Sequence, residues 1–136
     1  LGLGSCVGIC MYDPVVKLGG LAHIMLPEAL NDRTNPGKFA DTAVPLLLKL
    51  MEDEGAVKER LIIKIIGGAQ MFNISGMDEK MKIGMRNVEK VIQVLKEFGL
   101  RINAVSTGGN YGKSVFLYTE TGKVVYRTVN EGEVEL

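Results

Sequence analysis

Leu61-Ile62-Ile63-Lys64-Ile65-Ile66-Gly67-Gly68 is the stretch whose reading decides the fold. Its first six residues hold four isoleucines, a short β-branched run that suits a buried, pleated surface and therefore a central strand. The glycine pair that closes it reads as close backbone packing rather than as a phosphate-binding loop. Downstream, Ile83, Asn87/Val88, Val91/Ile92, Leu95 and Phe98 mark one face of a helix, with Arg86, Glu89, Lys90, Gln93 and Lys96 on the other. Gly99 stands where a C-terminal cap belongs. Residues 102–106 then read as a second strand, so strand, helix and strand follow one another.

Upstream of the isoleucine run, Phe39, Ala43, Leu46, Leu47, Leu50 and Met51 recur at helical spacing over residues 39–54, with Gly55 as the stop. Pro45 lies inside this span. An interior proline costs a helix about 3 kcal/mol, so a kink or a helix start close to it is expected. Residues 7–12 and 21–26 are short apolar runs bounded by Asp13-Pro14, Gly19-Gly20 and Pro27, and read as buried strands. Residues 31–38 and the Met-rich stretch 70–82 read as loops, and 115–119 with 123–128 as a hairpin around Glu120-Thr121-Gly122. The expected fold is α/β: a single-domain mixed α/β sandwich over residues 1–136, with two main helices packed on β-sheet.

At 136 residues the length fits one domain, and a 46% hydrophobic content is enough for a core. Sixteen Lys and Arg cancel sixteen Asp and Glu, which argues against a nucleic-acid or anionic-membrane binder. No apolar run approaches the roughly 18 residues that suggest a membrane helix. Two cysteines make no disulfide scaffold. On one strand, Cys6 and Cys10 would lie about 13 Å apart at roughly 3.3 Å per residue, beyond the roughly 7 Å that a bridge tolerates between Cα atoms. Free thiols fit a reducing compartment, so a cytoplasmic location is expected. The sequence opens at Leu1 without Met, and a trimmed N-terminal segment is expected ahead of it.

Few residues are suited to chemistry. The segment 107–114 looks like a P-loop, but Thr107 stands where the first glycine is needed, and residues 114–119 alternate like a strand instead of opening a helix. Cys6, Cys10 and His23 match no structural zinc spacing. The acidic residues, mostly at 52–54 and near the C-terminus, read as solvated faces and form no glycosidase pair. Cys6 remains, placed after Gly2-Leu3-Gly4-Ser5, where small residues let a substrate approach and successive backbone N–H groups can face an oxyanion. A thiol nucleophile needs a base, and His23 is the one histidine, in the next apolar strand. Two readings stay open on spacing alone. Cys6 and His23 are a nucleophile and its base, or, more commonly for such residues, a small hydrophobe and a satisfied core histidine.

The residues also carry a likeness. Leu1-Gly2-Leu3-Gly4-Ser5-Cys6, Asp13-Pro14, and Gly20-Leu21-Ala22-His23-Ile24-Met25-Leu26-Pro27 closely resemble the CheD family of chemoreceptor glutamine deamidases. The likeness continues in order through residues 38–43, 67–72, 83–88 and 107–112, nearly the whole chain. It implies a Cys–His deamidase on an α/β sandwich, with Cys6 as nucleophile, His23 as general base and acid, and backbone N–H groups near Ser5 supporting the oxyanion. It also implies a third catalytic residue, a Thr, at a position preceding Leu1. No metal or organic cofactor is expected. The implied partners are the cytoplasmic helices of methyl-accepting chemoreceptors, as substrate, and the CheC phosphatase, with Met71, Phe72 and Met77 as docking candidates. The alternative reading is a non-catalytic module that regulates CheC, and a Cys peptidase with a similar pair is a more distant one.

Overall fold

A computed structural model of the chain describes residues 5–67, 79–107, 113–128 and 132–136. Strands β1 (Val7–Asp13), β2 (Leu18–Ile24), β3 (Ile62–Gly67) and β4 (Ile102–Thr107) form one sheet in the order β2-β1-β3-β4. β1 is antiparallel to both neighbours, and β3 runs parallel to β4. A parallel pair needs a crossover connection, and helix α2 (Glu79–Glu97) lies between β3 and β4 in the chain. Helix α1 (Ala40–Asp53) joins β2 to β3. Strands β5 (Ser114–Leu117), β6 (Val124–Thr128) and β7 (Gly132–Glu135) make a second, antiparallel sheet.

The side-chain alternation of β1 explains the layering. Val7, Ile9 and Met11 point one way and join Ile63, Ile65, Ile24 and the buried faces of both helices, including Val44, Leu48, Val91 and Leu95. Cys10 points the other way and meets Ile66, Val124 and Tyr126 in a smaller core between the sheets. All seven β1 residues are buried. The mixed α/β sandwich with two helices on a sheet is therefore borne out, with the second sheet as a third layer.

Several boundaries differ from the sequence reading, each for a physical reason. β2 begins at Leu18, so Gly19-Gly20 lie inside a strand and not at its edge. They are glycines because both layers come close. A Cβ on Gly19 would come within 2.9 Å of Leu117, and one on Gly20 within 2.8 Å of Leu47. Residues 79–82, read as the end of a loop, open α2. β7 was read only as an acidic surface; Glu133 and Glu135 do face solvent, but the backbone pairs with β6. Pro45 sits in the second turn of α1, so the helix does start close to it. Both glycine stops hold: Gly55 and Gly99 have positive φ, and the helix-closing bonds Ala56 N–H to Met51 O and Leu100 N–H to Leu95 O follow them. The remainder of the Met-rich stretch, with Met71, Phe72 and Met77, lies outside the described residues.

Asp13, read as part of a turn, is a buried anchor. Its carboxylate accepts Arg60 Nε at 3.1 and 3.0 Å, Arg60 Nη2 at 2.8 Å, and the N–H groups of Val57 and Val15 at 2.9 Å each. These bonds tie the end of β1 to the turn that leads into β3. Arg60 first, and then the two N–H groups, hold the carboxyl down at about 2. The folded value lies below the unfolded one of about 3.9, so this contribution to stability is whole above about pH 4 and drains away as pH falls toward the folded value. Asp13→Asn is expected to lower the urea midpoint at pH 7 and to flatten its decline between about pH 4 and 2. Parallel wild-type and mutant curves through that window would contradict this role for Asp13.

Candidate functional site

The ladder between β1 and β2 decides where the candidate residues meet. Gly8 pairs with His23, and Val7 with Ile24, after which the pairing stops. Directly opposed residues of an antiparallel pair share a face, so His23 lies on the face of Gly8. Cys6, two residues before Gly8, is on that face as well, since it packs against the core of Cys10, Ile66, Val124 and Tyr126. On a ladder continued by one residue Cys6 and His23 would be diagonal neighbours, with Gly8 between them contributing no side chain. Such diagonal positions lie roughly 7–8 Å apart at the backbone, within reach of an imidazole.

Both side chains are half-buried. His23 Nε2 is shielded from solvent and has no hydrogen-bond partner among the described residues. Burial lowers the imidazole pKa below its ordinary value and raises that of the Cys6 thiol. The two shifts favour the same state, a neutral thiol beside a neutral imidazole. Cys10 differs. It is buried in β1 opposite Lys64, and burial pushes its thiol up to about 12 despite the opposing pull of the lysine. That thiol stays protonated and inert at neutral pH. Both cysteines are free, as their spacing implied.

Ser5 brings its backbone to the site. Its carbonyl accepts a 3.0 Å hydrogen bond from Asn87 Nδ2, and the same nitrogen donates to the Met25 carbonyl, also at 3.0 Å. Asn87 is fully buried on α2. In the sequence it falls on the helix's apolar face, where an amide among Val88, Val91 and Leu95 is the available signal for a role of its own. Removing it would leave two part-buried carbonyls short of a donor, at about 1–3 kcal/mol for such a loss.

Gly67 closes over the opposite side of the same segment. Its φ of +121° is one that side chains rarely adopt, and a Cβ there would collide with the Cys6 carbonyl oxygen. The expected close backbone packing at this glycine is what the structure has. The P-loop look-alike is also resolved as structure: β5 begins at Ser114, with no helix opening there, and the buried Lys113 ammonium reaches the Ser106 carbonyl at 3.3 Å and lies over the Tyr126 ring. Residues 108–112 lie outside the described residues. Among the described residues, no cluster of three His, Cys, Asp or Glu side chains is arranged to hold a metal, and no helix is long and apolar enough to cross a membrane.

Fold and site together define an α/β sandwich that carries a cysteine and a histidine on one sheet face, at the point where two strands part. The family described as CheD chemotactic sensory transduction matches residues 25–128. A Clostridium novyi protein named "Probable chemoreceptor glutamine deamidase CheD" is 52% identical over 134 residues, covering 97% of this chain and 83% of its own. The Thermotoga maritima "Chemoreceptor glutamine deamidase CheD" is 51% identical over 133 residues, covering 98% and 82%. The chain belongs to the CheD family. The likeness read from its motifs is thereby borne out, and these relatives span the Cys6 and His23 segments that precede the family match.

Gly67→Ala is expected to destabilise the fold by about 1–3 kcal/mol, the cost of forcing a side chain into such a backbone conformation. Urea denaturation measures this directly. An unchanged midpoint would show that the β3 end does not press on Cys6.

Proposed function

We propose that this protein hydrolyses the side-chain carboxamide of glutamines on chemoreceptors to glutamate. What supports this reading is that Cys6 and His23 share the sheet face that meets the second sheet, in a chain half identical to proteins named chemoreceptor glutamine deamidase.

The pair begins neutral. As the carboxamide carbon approaches Sγ, the thiol proton passes to His23 and the C–S bond forms. Backbone N–H groups around Ser5 and Cys6 stabilise the oxyanion, each such donor typically contributing about 3 kcal/mol. The tetrahedral adduct collapses as His23 returns the proton to the departing nitrogen, releasing ammonia and leaving a thioester. His23 then takes a proton from water, the hydroxide attacks the thioester, and the C–S bond breaks. Glutamate forms and the thiol is restored. The net change is glutamine plus water to glutamate plus ammonia, with one negative charge added to the receptor. In this reading the third group, which orients His23, comes from the family's Thr ahead of Leu1. Binding of the CheC phosphatase, which the family resemblance implies, is a separable role that does not require the thiol.

Mass spectrometry of a chemoreceptor cytoplasmic fragment incubated with the protein tests the reaction. An amide-to-acid mass increase on specific glutamines is expected with the wild type and none with Cys6→Ala, which should stay folded and retain any CheC binding. Conversion that persists in Cys6→Ala would falsify the assignment of the nucleophile. The pH profile carries a second expectation. His23 must be neutral to accept the thiol proton, and burial lowers its pKa, so the acid limb of kcat/KM should fall below the ordinary imidazole value of about 6.5. A limb above that value would assign the base to a different group.

A further inference from the structure

We propose that Asn87 is a positioning residue that sets the Cys6–His23 geometry from the helix side of the sheet; the roles of those two residues rest on the deamidase reading above. The reason lies in how the strands part. Continued by one more step, the β1–β2 register would set Cys6 opposite Met25, but the pairing ends at Val7 and Ile24. Beyond that point β2 is drawn away. The N–H groups of Met25 and Leu26 donate to the Lys38 carbonyl at 2.8 and 3.3 Å, and Leu26 bridges to Phe39. The segment bearing Cys6 has lost its ladder partner just where it needs a defined place.

Asn87 fills the gap. Its amide nitrogen has two N–H groups, and they go to the two strands that have separated: Ser5, next to Cys6, and Met25, two residues past His23. One side-chain amide therefore replaces the missing ladder, and it does so from a fully buried position. Gly67 presses on the Cys6 carbonyl from β3, so the residue before the thiol and the carbonyl after it are held from two directions. An aliphatic residue at 87 would suit the helix face but supply neither bond.

The test compares the wild-type protein with Asn87→Ala, Asn87→Ser, His23→Ala and Val94→Ala, the last a buried α2 core truncation that controls for general loosening. Two readouts are taken: Cys6 alkylation by iodoacetamide as a function of pH, and kcat and KM for deamidation of a chemoreceptor fragment. Asn87→Ala is expected to lose tenfold or more in kcat with KM little changed, as a misplaced reacting group does, on the order of tenfold to a hundredfold per ångström. Its alkylation profile should coincide with that of His23→Ala, because the thiol no longer meets its base. Val94→Ala should keep the wild-type profile despite its lower melting temperature. Asn87→Ser retains one hydroxyl donor, should fall between, and is the variant read if Asn87→Ala does not fold. A folded Asn87 variant with wild-type alkylation and kcat overturns the proposal, as does a Val94→Ala loss of equal size. If no deamidation occurs even with wild type, the deamidase reading fails, while the alkylation arm still decides whether Asn87 couples Cys6 to His23.

Discussion

Burial of β1 on both faces is the constraint on which the rest of the structure depends. A strand with a layer on each side must satisfy two cores with one alternating sequence, and Val7, Ile9 and Met11 serve the helices while Gly8, Cys10 and Tyr12 serve the second sheet. Tyr12 shows how tightly the second layer is held, since its hydroxyl donates to the Thr119 carbonyl at 2.7 Å. With both neighbours antiparallel to β1, the registers of β2 and β3 follow from it. A one-residue slip would send the three helix-facing side chains toward the wrong layer. The positions of His23 opposite Gly8 and of Gly67 opposite Val7 are therefore consequences of core packing.

The two ends of this strand treat charge in opposite ways, and the comparison explains what kind of site the N-terminal end offers. At the C-terminal end Asp13 is fully buried yet remains ionised, because a guanidinium and two backbone N–H groups converge on it. At the N-terminal end His23 Nε2 has no hydrogen-bond partner among the described residues, and burial moves Cys6 and His23 each toward its uncharged form. A buried charge survives when it is paired and hydrogen-bonded, and otherwise the group neutralises. β1 therefore ends in a permanent ion pair used for anchoring on one side, and on the other adjoins two groups that burial shifts toward their uncharged forms.

Much of this was legible in the sequence, for reasons that differ by element. The Ile62–Gly67 strand, the α2 stripe and the hairpin followed from periodicity and turn residues, which local sequence encodes directly. Cys6 and His23 were legible as candidates because one directly precedes an apolar strand and the other stands in the next, where their chemistry is conspicuous. The Gly19-Gly20 pair misled, since a turn and a close approach of two layers use the same residue and only the tertiary packing separates them. β7 was hidden because an edge strand with solvent-facing glutamates has no apolar alternation to show. Asn87 was hidden for a different reason: its function lies in two carbonyls, Ser5 and Met25, whose residue identities carry no trace of the bond.

A neutral thiol–imidazole pair also bears on selectivity under the proposed reaction. A preformed thiolate reacts with any electrophile that reaches it, whereas a thiol held above its ordinary pKa reacts only when proton transfer and bond formation are coupled. Coupling of that kind requires the carboxamide to be seated with its carbon against Sγ and its oxygen against backbone donors, so the energy of ionisation is supplied by the correctly placed substrate. Half-burial of both residues serves the same end, because it removes part of the water that would stabilise a free thiolate. The cost is dependence on geometry: with no resting charge attraction to draw them together, Cys6 and His23 must be set in place by the fold. That is the physical reason for the sheet to surround the Cys6 backbone with rigid contacts at the one point where its own ladder has come apart.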